Sequence, residues 1–140
     1  MKKFFTLLMF APILMLQAQV MDISVTDCNN SSTSIHGVLA TGKVLVAASD
    51  GLDCSVCKGK APGLQNWAAQ NKTKVQVWGA MTYTYSNSAP SCVDVTTWVN
   101  NYNWNDIYTF VDANRHWFQS GTPRYTVYSP LDSTLAYQGF

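Results

Sequence analysis

Two cysteines, Cys54 and Cys57, stand three positions apart where a strand is expected to pass into a helix. The strand is predicted over Val44 to Ala48, a short apolar run bounded by polar and glycine residues. The helix is predicted from Cys54 to about Gln70, where apolar residues recur near helical spacing. Two sulfurs in the first turn of a helix can close a small disulfide ring and reopen it. The pair therefore puts a strand-loop-helix unit at the centre of the fold and makes a redox dithiol the first hypothesis for its chemistry.

The next segments extend this unit into an α/β domain. Lys74 to Ala80 alternates apolar and polar residues and is expected to return as a strand parallel to the first, which completes a right-handed βαβ unit. Pro62 lies inside the predicted helix and should bend it, with the loss of one backbone hydrogen bond. A second helix is predicted from Ser91, its N-cap, to about Tyr102. A short strand is predicted over Asp106 to Val111.

Extended segments are predicted at both ends of the domain. The chain has no Glu and many Asn, Ser, Thr, Tyr and Trp residues, a composition that lowers helix propensity and favours strands and polar loops. Pro123 introduces a strand over Tyr125 to Tyr128, and Thr134 to Gln138 is expected to return beside it as a hairpin. Near the N-terminus, Asp22 to Thr26 and Ser34 to Leu39 are predicted to form an extra β-hairpin.

The first eighteen residues have the pattern of a secretory signal peptide. Two lysines precede an apolar run from Phe4 to Leu16, and cleavage is expected after Ala18. The run is about thirteen residues long, short of the ~20 that span a bilayer, so no membrane span is expected after cleavage. The sequence thus predicts a periplasmic or secreted protein in which residues 1–18 are a signal peptide and residues 19–140 form one domain.

Charge and motifs narrow the classes of function. The nine Lys and Arg residues are scattered among eight Asp residues. A protein that neutralises a nucleic-acid backbone needs a clustered basic surface, so no nucleic-acid partner is expected. The sequence also lacks the Gly-flanked Ser of many hydrolases and the Gly-rich Lys-Ser/Thr loop of phosphate-binding proteins. An aromatic loop from Tyr83 to Tyr85 is a further candidate binding surface.

The position of each cysteine suggests its role. A sulfur at the first turn of a helix lies near backbone N–H groups that have no intrahelical partner, at the positive end of the helix dipole. Such surroundings favour the thiolate, so Cys54 is expected to be the attacking sulfur at neutral pH. Cys57, one turn further in, would then release the product by attacking Cys54. Lys58 and Lys60 would favour ionisation of Cys54, whereas Asp53 would oppose it.

These features together resemble the thioredoxin-fold family, and in layout its secreted or periplasmic thiol-disulfide oxidoreductases. The resemblance covers Thr41 to Gly139. Its motifs are the strand Val44-Leu45-Val46, the segment Cys54-Ser55-Val56-Cys57-Lys58 with Ala61-Pro62 at the family's helix kink, and Gly121-Thr122-Pro123 at the family's cis-proline. The family fold is a three-layer α/β sandwich with a mixed central sheet, which is the architecture expected here.

The resemblance also implies a function and its site. It implies thiol-disulfide exchange on extracytoplasmic protein substrates, with Cys54 as nucleophile and Cys57 as the sulfur that resolves the mixed disulfide. Thr122 and Pro123 would supply backbone that faces the substrate. The expected partners are protein thiols or disulfides and a redox partner protein. The redox-active disulfide is the reacting group, and no separate cofactor is expected.

The chain departs from the family pattern at several positions. Asp53 precedes the first cysteine where thioredoxins usually carry Trp, and Ser55-Val56 stands where they carry Gly-Pro. The acid that thioredoxins bury beneath the disulfide is replaced by Ala47 or Ala48, so slow proton transfer to the second cysteine is expected. The chain stops at Phe140, on the final strand, where the family adds a helix. The C-terminal helix is therefore expected to be missing, through truncation or because a partner covers that sheet face.

Alternative interpretations remain open for the cysteines. Cys54 and Cys57 could form a purely structural pair, but so small a ring removes little chain entropy. A structural disulfide is favoured for Cys28 and Cys92, with a third redox thiol as the other interpretation. A binding module of the same fold without turnover is the alternative to an enzyme. As a copper(I) carrier, it would use Cys54, Cys57 and His116 as ligands.

Overall fold

The computed structural model describes residues 19–83, 88–118 and 121–140 of the chain. The expected signal peptide, residues 1–18, lies outside the described residues. Within these ranges the elements follow one another as β1 (Ser24–Thr26), β2 (Ser32–Ser34), α1 (Ile35–Leu39), β3 (Val44–Gly51), α2 (Ser55–Asn71), β4 (Val75–Tyr83), α3 (Cys92–Tyr102), β5 (Ile107–Val111), β6 (Arg124–Tyr128) and β7 (Leu135–Gly139).

Five strands form one mixed sheet in the order β5-β4-β3-β6-β7. β3, β4 and β5 run parallel, whereas β6 and β7 are each antiparallel to the strand before them in the sheet. Helix α2 connects β3 to β4, so the βαβ unit predicted around the cysteines is present. β1 and β2 form a separate two-stranded antiparallel sheet. The predicted α/β class with a mixed central sheet and an extra N-terminal hairpin is confirmed.

Hydrophobic side chains cover both faces of the sheet, which makes three layers. On one face, α1 and the N-terminal hairpin pack over an aromatic cluster, in which Trp78 meets Phe110 and Trp117 edge to face at ring distances of 5.7 and 5.8 Å. On the other face, α2 and α3 cover a second cluster that includes Cys57, Ala61, Val77, Met81, Trp98 and Trp104. The second cysteine of the motif is therefore part of the hydrophobic core.

Strand β3 is longer than predicted. Ser49, Asp50 and Gly51 continue the strand, and every residue from Leu45 to Gly51 is buried. The neighbouring strand β4 runs alongside as far as Tyr83 and keeps these residues hydrogen-bonded in the sheet. The polar and glycine residues at this point indicated that the strand ends, but their pairing with β4 keeps them in the strand. An acidic side chain is carried into the interior as a result.

The N-terminal hairpin also differs from its prediction. β1 pairs with β2 from Ser24 opposite Ser34 onward, but the expected second strand over Ser34 to Leu39 is wrong beyond its first residue. Ile35–Leu39 is a helix, α1. The Ser34 hydroxyl caps it by accepting a hydrogen bond from the Gly37 N–H at 3.0 Å. Helical spacing also buries Ile35, Val38 and Leu39 on one side, which a strand would not do.

The α2 side of the sheet is open next to β6 and β7. Pro62 lies within α2, which runs from Ser55 to Asn71 around it. Beside α2 is an apolar groove of about 440 Å³, lined by Val44, Val46, Leu64, Trp67, Val75, Tyr125, Val127 and Tyr137. β7, the last element of the structure, is an edge strand of the sheet. No helix within the described ranges is long and apolar enough to cross a bilayer.

Candidate redox site

Cys54 and Cys57 are joined by a disulfide at the N-terminus of α2, with their Cα atoms 5.2 Å apart. Cys54 is the N-cap residue, and its backbone N–H donates to the Gly51 carbonyl at 3.1 Å. Its sulfur accepts the Cys57 N–H at 3.0 Å. Cys54 is partly exposed, whereas Cys57 is 1% exposed. An incoming sulfur can therefore reach Cys54, where a backbone donor stabilises a developing thiolate.

The structure brings the second predicted segment to this sulfur. Thr122 and Pro123 precede β6 and are joined by a cis peptide bond. The carbonyl oxygen of Thr122 lies 3.4 Å from the Cys54 sulfur, although the two residues are 68 positions apart in the chain. β6 pairs directly with β3, and this pairing places the loop before β6 beside the loop after β3. Cys54, Cys57, Thr122 and Pro123 thus form one site.

Tyr83 belongs to the same site, which the sequence indicated only as part of an aromatic loop. Its hydroxyl lies 2.7 Å from the Thr122 side-chain oxygen. Its backbone carbonyl accepts the Leu52 N–H at 3.1 Å. The remainder of the predicted loop, Thr84 and Tyr85, lies outside the described residues. The structure explains Gly51 at this place, because a Cβ there would lie 2.4 Å from the Tyr83 ring carbon Cζ.

A buried acid that the sequence did not predict, Asp50, also lies near the site, two residues after Ala48 in β3. Asp50 is 3% exposed and is paired in register with Met81 of β4, which packs in the same cluster as Cys57. Burial raises the pKa of Asp50 from 3.8 to about 7, although nearby Lys60 of α2 lowers it in part. Among the described residues, its oxygen Oδ2 has no hydrogen-bond partner. Sequence reasoning missed Asp50 because it placed the residue in the exit from the strand.

Charged residues flank the dithiol on the α3 side. Asp53, directly before Cys54, and Lys58 of α2 both line a cavity of about 270 Å³. Asp94 and Trp98 of α3 line the same cavity. Asp94 is held in the capping box of α3, where its carboxylate accepts from Ser91, and these hydrogen bonds lower its pKa. The electrostatic surroundings of Cys54 therefore contain charges of both signs.

The second cysteine pair is also a disulfide in the structure. Cys28 and Cys92 are bonded; their Cα atoms are 5.4 Å apart, and the residues are 64 positions apart in the chain. Cys28 follows β1, and Cys92 is the first residue of α3. The bridge therefore fastens the N-terminal hairpin segment to the helix that packs beside α2. Because it closes a long loop, it constrains the unfolded chain far more than the Cys54–Cys57 ring does.

The residues of the copper alternative are not assembled. His116 lines a separate cavity with residues of β1, and its ring packs against Trp117 at 4.9 Å. Its backbone N–H donates to Asp112 at 2.8 Å. Within the part of the chain that the structure describes, no group of three or more His, Cys, Asp or Glu side chains could hold a metal ion. The structure therefore does not bring His116 to Cys54 and Cys57, and copper is not proposed.

No protein-family model and no curated protein matches this chain. Solved structures do match it. A hypothetical protein of Sinorhizobium meliloti superposes with a TM-score of 0.72 at 14% identity, over 87% of this chain and 68% of that one. A secreted disulfide oxidoreductase of Mycobacterium tuberculosis, homologous to E. coli DsbE, gives 0.62 at 22% identity, over 81% and 79%. An exposed lipoprotein thioredoxin of Streptococcus pneumoniae gives 0.65 at 14% identity, over 86% and 90%.

These likenesses, together with the sheet order and the cysteine helix, define the class of fold. The chain has a thioredoxin-like fold with an additional N-terminal two-stranded sheet. Several of its structural neighbours are thiol-disulfide oxidoreductases. The predicted resemblance to thioredoxin-fold proteins is confirmed.

Proposed function

We propose that the protein is a thiol-disulfide oxidoreductase that acts on protein substrates outside the cytoplasm. One observation carries the proposal: the accessible sulfur of Cys54 caps α2, accepts a backbone N–H and faces the Thr122 carbonyl at 3.4 Å. A structural disulfide needs none of these features, and the small ring between Cys54 and Cys57 adds little stability to a fold. The same features give an attacking sulfur its ionised form and a surface on which a substrate chain can rest.

The proposed reaction starts from the dithiol form. The Cys54 thiolate attacks one sulfur of a partner disulfide, a bond forms between the two sulfurs, and the other partner sulfur leaves as a thiolate that takes up a proton. Cys57 then loses its proton and attacks Cys54, which closes the Cys54–Cys57 disulfide and expels the second partner thiolate. Two electrons pass from the protein to its partner. The reverse sequence oxidises a partner dithiol, and a separate redox partner protein restores the starting state.

We also propose that Asp50 accepts the proton that Cys57 loses before it attacks Cys54. Cys57 is buried, so its thiol cannot release a proton directly to bulk water. Asp50 is paired in register with Met81, which packs in the same cluster as Cys57, and Lys60 of α2 is close enough to affect it. Its pKa of about 7 matches a base that must both accept and release a proton near neutral pH. The proposed acceptor lies two residues beyond Ala48, and it removes the reason to expect slow proton transfer.

Location and partners complete the proposal. The N-terminal pattern of a signal peptide supports a periplasmic or secreted protein, and two disulfides suit an oxidising compartment. Substrates are proposed to be proteins that carry accessible disulfides or cysteine pairs. The S. pneumoniae and M. tuberculosis neighbours are described as exposed and secreted, which agrees with this location.

The test is disulfide reduction by the purified protein with insulin as substrate and dithiothreitol as the electron source. The wild-type protein is expected to accelerate the reaction, and Cys54→Ser is expected to remove the acceleration. Cys57→Ser is expected to accumulate a mixed disulfide through Cys54, detectable by mass spectrometry. The paired variant Cys28→Ser with Cys92→Ser is the matched control, because it removes a disulfide away from the site and should retain activity. Full activity in Cys54→Ser would contradict the proposal.

A further inference from the structure

Tyr83 connects two strands that are not neighbours in the sheet. It is the last residue of β4, and Thr122 lies just before β6, but β3 separates the two strands. The Tyr83 side chain crosses the end of β3, and its hydroxyl lies 2.7 Å from the side-chain oxygen of Thr122. These two groups are called the Tyr83–Thr122 hydroxyl pair below. Either hydroxyl can be the donor.

The end of β3 is shaped for this crossing. Gly51 is the register partner of Tyr83, after an irregularity in the pairing that follows Asp50. A Cβ at position 51 would lie within 3 Å of three Tyr83 ring carbons, so only glycine lets the ring pass there. Phe118 packs edge to face against the Tyr83 ring, with the two ring centroids 5.8 Å apart. The ring is therefore fixed by contacts, and its hydroxyl is held at Thr122.

The hydroxyl pair acts on the residue that faces the reacting sulfur. The backbone carbonyl of Thr122 is 3.4 Å from the Cys54 sulfur, and the side chain of the same residue carries the bond to Tyr83. A shift of Thr122 would move the backbone against which a substrate chain must lie during attack. Exchange between sulfurs is sensitive to such placement, because a displacement of about 1 Å can cost about a hundredfold in rate.

We propose that Tyr83 is a positioning residue for thiol-disulfide exchange: its hydroxyl holds Thr122 so that a peptide segment of the substrate is placed at Cys54. This proposal rests on the proposed function. It also specifies the substrate class, since only a substrate with a peptide backbone on either side of its cysteine uses the Thr122 surface. Each hydroxyl brings one proton, and the bond within the pair uses one, so a second donor stays available to a carbonyl of the arriving chain.

The test compares a peptide disulfide with a small thiol reagent. Tyr83→Phe removes the hydroxyl and keeps the ring. We expect kcat/KM for insulin reduction to fall about tenfold in this variant, the effect of one hydrogen bond of ordinary strength. The rate of alkylation of reduced Cys54 by iodoacetamide should stay within about twofold of wild type, because that reagent does not use the Thr122 surface.

Thr122→Val supplies the other half of the pair for a double-mutant cycle. Both single variants should lose activity by a similar factor, and the double variant should lose no more than either, because each change breaks the same bond. Tyr108→Phe is the matched control. Its hydroxyl also makes hydrogen bonds, to Asp27 and Ser31, but at the edge of the sheet on β5. This control should lower the melting temperature and leave kcat/KM unchanged.

Three results would overturn the positioning role while leaving the proposed function intact. The first is an active Tyr83→Phe variant with kcat/KM within twofold of wild type. The second is an equal fall in the insulin and iodoacetamide rates, which would mean that the hydroxyl acts on the sulfur and not on the substrate. The third is losses that multiply in the double variant. A wild-type protein without insulin reductase activity would instead remove the proposed function and this role with it.

Discussion

Asp50 is a carboxyl group placed where its charge is poorly solvated. It is 3% exposed, and the groups that interact with it from the packed elements are Lys60 of α2 and Tyr125 of β6. Burial outweighs the attraction of Lys60, so the pKa of Asp50 rises to about 7. The folded protein thus keeps a proton on Asp50 that the unfolded chain releases near pH 4. Stability must therefore fall as pH rises from about 4 to about 7 and then level off.

Asp50→Asn should remove this dependence. Between pH 5 and pH 8, titration of Asp50 should lower the unfolding free energy of the wild-type protein by about 2 to 3 kcal/mol. This contribution should be missing in the variant. Urea unfolding at the two pH values measures the difference. Asp132→Asn is the control, because Asp132 is exposed and its hydrogen bonds to Thr134 and Ser129 lower its pKa, which puts its titration below this window. Equal pH dependence in wild type and Asp50→Asn would contradict the assigned pKa.

Asp50→Asn also tests the assigned proton acceptor. The variant keeps the shape of the side chain but cannot take up a proton. We expect the second step, attack by Cys57 on a mixed disulfide at Cys54, to slow by about a hundredfold near pH 7, the lower end of the range for general bases. Release of a fluorescent peptide thiol from a preformed mixed disulfide measures this step alone. An unchanged release rate would show that Cys57 loses its proton by another route.

The effect of a Gly→Ala substitution on stability should depend on the element in which the glycine lies, as two positions show. Gly63 lies inside α2, and a Cβ there would meet no atom within 4 Å. Gly63→Ala should therefore raise stability by about 0.5 to 1 kcal/mol, because alanine favours the helix. Gly51→Ala should lower stability by about 1 to 3 kcal/mol, because its Cβ would overlap the Tyr83 ring. Thermal unfolding of both variants measures the contrast, and a stabilised Gly51→Ala would contradict the described crossing of Tyr83.

The elements also show which features the sequence could predict. β3, α2 and β4 follow from local apolar patterns, so their order and their place around the cysteines were accessible. The end of β3 was not, because Asp50 and Gly51 are held in the strand by pairing with β4 and not by their own preferences. Helix α1 was missed because Ser34 acts both as the end of β2 and as a helix cap.

At the scale of the whole molecule, the Cys28–Cys92 disulfide joins the N-terminal segment to α3. Replacement of both cysteines by serine should cost about 2 to 5 kcal/mol of stability, since the bridge spans 64 positions of chain. The rate of insulin reduction at low temperature should not change, because the bridge joins the segment after β1 to the start of α3, whereas Cys54 and Thr122 lie at the end of β3 and before β6. Guanidinium unfolding and the insulin assay measure the two quantities. A loss of activity at full stability would instead indicate a redox role for this pair.

Long-range contacts mark the limit of prediction for the site. The approach of Thr122 to Cys54 was implied by resemblance to a known fold, which carries information about residues 68 positions apart. The bond from Tyr83 to Thr122 was not implied, because it depends on the register of β3 against β4 and on the crossing over Gly51. The position of His116 likewise depends on the loop after β5, where Asp112 accepts the N–H groups of His116 and Trp117. Such contacts follow from the assembled sheet and not from any single segment.

The central claim is that the N-terminus of α2 makes Cys54 an unusually reactive sulfur. The direct test is the rate of iodoacetamide alkylation at pH 7 of Cys57→Ser, in which the Cys28–Cys92 disulfide is intact and Cys54 is the free thiol. Free cysteine is only a few per cent ionised at this pH, so Cys54 should react about tenfold faster than the thiol of glutathione. A rate equal to that of glutathione would contradict the claim.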